Sequence, residues 1–157
     1  MKKRLIWGLL LCLTVSGAAA GTLLQEGSAS AEPSRFQVNG ISLGQTKTAV
    51  VQKKGEPVSI VKDRLLGTEE YRYRDAKVGF YDGRVEYISL AAARRYMSLD
   101  GKLVGISRAG LTGVFGAADY RAEDGMVFIQ ADTAFKAYTD PETGAIVSVD
   151  YFFGDET

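Results

Sequence analysis

The sequence predicts an α+β domain: two tandem units, each a short helix followed by three strands, forming an antiparallel sheet with the short helices on one face. Three observations lead there. A glycine-bounded stretch recurs at a fixed offset, hydroxyl residues stand where helices would start, and aromatic-rich alternating runs follow each copy.

Self-similarity at a fixed period marks one supersecondary unit used more than once. Residues 43–55, opening Leu43-Gly44 and closing at Gly55, recur 61 residues later as 104–116, opening Val104-Gly105 and closing at Gly116. Thr46 and Ser107 stand two residues after the opening glycines, where a hydroxyl can accept an orphan backbone N–H of a helix start. Gly55 and Gly116 suit the left-handed residue that commonly ends a helix, and Pro57 blocks continuation of the first. In the second copy Leu111, Val114 and Phe115 fall at i, i+3, i+4, the spacing of one buried stripe. Gly110 and Gly113 cost that helix about 1 kcal/mol each relative to Ala, so packing must hold it.

The strands predicted after the first helix cover 69–74, 77–81 and 84–90, and those after the second cover 126–130, 134–139 and 145–153. Asp82-Gly83 between two alternating runs is a strong hairpin signal. Asp140-Pro141-Glu142-Thr143-Gly144 reads as a longer hairpin loop, with Pro and Gly in turn roles. The units then run over 36–90 and 97–153. Neither buries its apolar face alone; side by side they form one layered domain.

The N-terminus has a different character. Met1-Lys2-Lys3-Arg4 precedes an apolar stretch, and Ala29-Ser30-Ala31 offers small residues at the spacing of a secretory cleavage site. This predicts a signal peptide over 1–31 and an exported domain over 32–157, secreted or held in the cell envelope. Ala18-Ala19-Ala20 also fits the cleavage pattern, and residues 5–24 are long enough to remain as an uncleaved anchor. Membrane association is expected only in that case.

Cys12, the single cysteine, lies inside the apolar stretch, so residues 32–157 contain no thiol and no disulfide. The chain has no histidine. That excludes Ser-His-Asp and Cys-His nucleophile systems and the usual zinc ligands. Basic and acidic residues number 19 each, and residues 1–31 hold Lys2, Lys3, Arg4 and Glu26, which leaves 16 basic against 18 acidic beyond them. A nucleic-acid binder usually carries a basic excess, so no nucleic-acid partner is expected.

The Thr/Ser-capped helix, the closing glycine near a proline and the Tyr-rich strands resemble the SmpA/OmlA (BamE) and β-lactamase-inhibitor-protein fold group. They also resemble the YjgB-like domain of secreted Gram-positive proteins. The resemblance covers roughly 36–153 and implies the two-unit α+β arrangement, which is similar to that of the inhibitors. The chain departs from the group in lacking the inhibitor's disulfides and a lipoprotein cysteine motif.

The expected function is binding, with no catalytic residue, metal or cofactor assigned. All eight tyrosines and seven phenylalanines lie beyond residue 31, and aromatic side chains dominate both cores and interfaces. Alternation assigns Ile88, Leu90, Val147, Val149, Tyr151 and Phe153 to the helix-covered core. The opposite face then carries Val85, Tyr87, Ile146 and Phe152, joined by Tyr73 and Tyr81, as a surface for an envelope or extracellular protein, or for cell-wall glycan. The alternative is a carboxylate-dependent hydrolase of wall glycan drawing on Glu69, Glu70, Asp75 and Asp82. Asp150, Asp155 and Glu156 read as ordinary surface charges, and Arg94-Arg95 as a solvated linker.

Overall fold

The structure is a computed structural model, and it describes residues 36–154. The expected signal segment with Cys12, its cleavage sites and the alternative anchor lie outside the described residues, as do Asp155 and Glu156.

Two helices form, α1 (Lys47–Lys54) and α2 (Arg108–Phe115). Thr46 Oγ1 accepts from Ala49 N at 3.3 Å and Ser107 Oγ from Gly110 N at 3.1 Å. Gly55 (φ 80°) and Gly116 (φ 84°) close them at positive φ with extended ψ, a backbone conformation open to glycine and not the left-handed helical one expected. Each helix spans eight residues and fully buries one side chain, Val50 in α1 and Leu111 in α2. Val114, predicted on the buried stripe, is exposed. Gly110 has a packing reason: a Cβ there would overlap the Gly105 carbonyl, so α2 sits directly on the backbone at Gly105.

Strands dominate instead, and the predicted fold class is corrected accordingly. An eight-stranded antiparallel sheet has the order β3 (Ser59–Asp63), β4 (Thr68–Arg72), β5 (Lys77–Tyr81), β6 (Arg84–Ala91), β12 (Ile146–Phe153), β11 (Thr133–Thr139), β10 (Gly125–Gln130), β9 (Tyr120–Ala122). A second sheet of four strands has the order β2 (Ile41–Ser42), β1 (Gln37–Val38), β7 (Tyr96–Leu99), β8 (Lys102–Gly105). A helix-plus-three-strand unit with helices covering one sheet face is therefore not what the chain builds. The physical reason is area: two helices that each bury one side chain cannot cover eight strands. The second sheet supplies the missing cover, with Val38, Ile41, Met97, Leu99 and Val104 joining the same core as the inner face of the large sheet.

Asx-Gly turns make the second sheet possible. Asn39-Gly40 has φ 49° and 78°, and Asp100-Gly101 has φ 49° and 78°. Positive φ at both central residues is the hairpin turn that matches strand twist. The turns also cross-link: Asn39 Oδ1 accepts from Ser98 N at 2.8 Å, and Asp100 Oδ1 accepts from Gln37 N at 2.8 Å.

The inner face of the large sheet is an aromatic ladder. Tyr71 pairs with Val78, Val78 with Ile88, Ile88 with Tyr151, Tyr151 with Phe135, and Phe135 with Phe128. The Phe135 and Tyr151 rings stack at 4.3 Å, and Phe115 stacks on Phe135 at 4.6 Å. Phe36 meets Phe115, Phe135 and Tyr151 edge-on, and its N–H donates to the Tyr151 hydroxyl at 3.0 Å. Aromatic contacts of this kind contribute about 0.5–1.5 kcal/mol each beyond area burial.

Candidate functional site

The inner face is covered; the other face of the eight-stranded sheet is where a site can stand. Along it Glu70 pairs with Gly79, Gly79 with Tyr87, Tyr87 with Phe152, Phe152 with Ala134, and Ala134 with Ile129. Beside that row runs a charged one: Arg72, Lys77, Ser89, Asp150, Lys136, Val127. Val127 and Ala134 are buried, yet they lie outside the core cluster.

Tyr87 anchors this face. Gly79 opposite it has no side chain, and the ring occupies the space a Cβ would need. The Tyr87 hydroxyl donates to Glu70 Oε2 at 2.8 Å, and Arg72 Nε donates to Glu70 Oε1 at 2.7 Å. Burial and the bond to Glu70 push the Tyr87 phenol well above its ordinary value. Burial alone would raise the Glu70 carboxyl, but the bonds from Arg72 and Tyr87 and the nearby Lys77 outweigh it and hold Glu70 below its usual range.

Asp150 behaves oppositely. Burial raises its carboxyl, although the Ser89 hydroxyl, Lys77 and Lys136 pull the other way. Its Oδ1 is shielded from solvent without a hydrogen bond. The sequence reading of Asp150 as an ordinary surface charge is thus corrected. Lys136 bonds Asp124 at 2.7 Å and lies 4.5 Å over the Tyr138 ring. Glu86, Tyr87, Tyr138, Asp150, Phe152 and Phe153 border a shallow depression of about 400 Å³.

Of the six residues proposed from the sequence, Tyr87 and Phe152 meet directly across the β6–β12 pair, and Tyr81, 56% exposed, stands on the same face nearer the edge. Val85 and Ile146 do not. Val85 is fully buried and Ile146 packs against the core. The cause is a bulge near the start of each strand. Gly79 pairs with Tyr87 but Phe80 with Val85, so Glu86 is the extra residue. Tyr138 pairs with Ser148 but Thr139 with Ile146, so Val147 is extra. One unpaired residue reverses the facing of everything before it, which also turns Val147 out to 49% exposure. Tyr73 lies beyond the end of β4, half-buried against the core with Lys54 Nζ 5.4 Å from its ring.

The carboxylates proposed for hydrolysis are not brought together. Glu69 bonds Lys47 at 2.9 Å and Glu70 bonds Arg72 and Tyr87. Asp75 bonds Lys54 at 2.6 Å, and Asp82 sits in a turn with φ 47°. Successive residues on one strand face opposite ways, so Glu69 and Glu70 are on different faces. Glu70 and Asp150 share one face of the large sheet, on strands three positions apart, and the Glu70 charge adds to the rise of the Asp150 carboxyl. Asp150, Lys136 and Tyr138 were missed as site residues, although alternation between the buried Val149 and Tyr151 places Asp150 beside Phe152.

The whole is a sheet-dominated domain in which, among the described residues, one face of the large sheet is covered by the second sheet and the helices and the other is covered by no described element. No family model matches the chain, and no curated protein matches it in sequence. Among solved structures it is similar to an extracellular protein containing a SCP domain from Bacillus anthracis str. Ames, at 16% identity and a TM-score of 0.52, covering 71% of this chain and 44% of that one. It also aligns with a cysteine-rich secretory protein from Staphylococcus aureus subsp. aureus Mu50, at 14% identity, a TM-score of 0.46 and the same coverage. This chain thus spans less than half the length of either. The likeness to the Bacillus protein is one of fold. It overturns the resemblance to the SmpA/OmlA, inhibitor-protein and YjgB-like groups, since an SCP-domain protein belongs to a different fold family.

Proposed function

We propose that this protein is an exported, extracytoplasmic binding module that engages a protein partner through the open face of its eight-stranded sheet. The observation that carries the reading is the cross-strand pair of Tyr87 and Phe152 beside the 400 Å³ depression. An uncovered sheet face with grouped aromatic residues is a common partner surface. Tyr offers a broad apolar ring and a polar tip, and here Glu70 and Gly79 hold that ring in place before any partner arrives, which lowers the ordering cost of binding. Two features support the extracytoplasmic setting: the basic-then-apolar pattern of the first residues, and the fold shared with a protein described as extracellular.

The test uses the chain from residue 32 onward, immobilised and exposed separately to envelope proteins and to purified peptidoglycan. The wild type captures a protein that Phe152→Ala and Tyr87→Ala fail to capture. Equal capture by all three forms, or capture of peptidoglycan in place of protein, refutes the reading.

A further inference from the structure

In the β3–β4 hairpin, β4 reaches the core through Tyr71 while β3 stands outside it, and the hairpin tip has an unusual composition. Every residue of β3 is exposed on both faces. At the tip Leu65 is 98% and Leu66 67% exposed. Adjacent leucines fully in water are disfavoured, and these two are held there by the chain itself. Asp63 Oδ1 accepts from Leu65 N at 2.9 Å and from Leu66 N at 3.1 Å, and Gly67 follows with φ 68°.

The charges around the tip select the partner. Asp63 is committed to the turn backbone. Glu69 is shared between Lys47 at 2.9 Å and Lys62 at 3.5 Å. Glu69 is thus matched by two lysines, and Arg64, beside the leucines, makes no ion pair among the described residues; Lys47, Lys62 and Arg64 outnumber Asp63 and Glu69 by one charge. A narrow apolar tip flanked by Arg64 and Lys62, with one cation in excess, suits a deformable apolar medium with an anionic surface. It offers little area for a protein interface, which needs about 800 Å² per partner.

We infer that the Leu65-Leu66 tip inserts into the interfacial layer of an anionic lipid bilayer, with Arg64 and Lys62 at the level of the headgroups. Only the tip enters. The outer edge of β3 carries unpaired backbone groups, which hydrocarbon does not tolerate. This surface lies on an edge hairpin and does not depend on Tyr87 or Phe152.

The experiment is co-sedimentation of the chain from residue 32 onward, which contains the whole described core, with phosphatidylglycerol-rich vesicles and with pure phosphatidylcholine vesicles. The wild type sediments with the anionic vesicles. Leu65→Ser/Leu66→Ser lowers the partition constant at least about tenfold, as expected for losing buried isobutyl groups, with an unchanged circular dichroism spectrum. Arg64→Glu weakens binding to the anionic vesicles and leaves the leucines intact, so it reads the charge independently. Tyr87→Ala sediments like the wild type, which separates this inference from the protein-binding face. A wild type that stays in solution overturns it, as does a double serine variant that binds equally. So does a concentration-dependent dimer abolished by the double serine variant without lipid, because a second copy would then be the occupant.

Discussion

Tyr87 and Phe152 face one another across β6 and β12, in register, on the side of the sheet away from the core. They lie 65 residues apart in sequence and meet where the two halves of the eight-stranded sheet join. Both are partly buried and point away from the aromatic ladder on the other face, so removing either leaves that ladder in place. Tyr87→Ala and Phe152→Ala are expected to weaken partner binding by about 1–3 kcal/mol, the range of an interface anchor. Equilibrium binding, with urea unfolding in parallel, checks this.

Gly79 and Tyr87 form a coupled pair. A methyl group at residue 79 collides with the ring, so Gly79→Ala should destabilise the fold by about 1–3 kcal/mol, the usual cost of overpacking. In a Tyr87→Ala background the same change should cost much less. A double-mutant cycle reads the coupling, and additive effects would show that the ring lies elsewhere.

Asp150 and Glu70 give stability opposite dependences on pH. The folded carboxyl of Asp150 is raised above its ordinary 3.8, so the folded state binds the proton more tightly. The stability this provides is present below 3.8 and is lost as pH rises through the folded value. Asp150→Asn removes that loss and should raise stability at neutral pH. Glu70 is held below its ordinary 4.5, so its contribution is present above 4.5 and disappears as pH falls through the folded value. Glu70→Gln should therefore flatten the acid side of the profile. Urea midpoints from pH 3 to 7 test both signs.

The inner ladder predicts a contrast with the open face. Phe135 is fully buried between Phe115 and Tyr151, and Phe135→Ala should cost about 3–5 kcal/mol. Ile129, 48% exposed on the other face, should tolerate Ala within about 0.5 kcal/mol. Denaturant unfolding of both variants measures the difference.

The sequence carried the helix caps and the central strands in readable form, because hydroxyl–glycine spacing and strict alternation are local signals. It did not carry the covering sheet so openly. β1 and β2 are two residues each, too short for any periodicity. Yet Asn39-Gly40 and Asp100-Gly101 repeat the chemistry of Asp82-Gly83, and weighing all three would have marked three hairpins. The facing of Val85 and Ile146 was not legible, because an unpaired residue in a bulge shows no composition of its own: Glu86 and Val147 are ordinary strand residues. The fold class failed on the same ground, since periodicity shows that a face is apolar without showing what covers it.

The order of strands has a consequence for when this domain can exist. β6 sits at the middle of the large sheet, and its neighbour there is β12, the last described strand. A chain that emerges N-terminus first during synthesis can pair β3 through β6 early, but β6 keeps a raw edge until residues 146–153 emerge. Closing that long loop is the slow, entropically costly step. The interval between the two events is when the half-built sheet meets whatever else is in the compartment, so its capacity to pair wrongly is set by timing as much as by sequence.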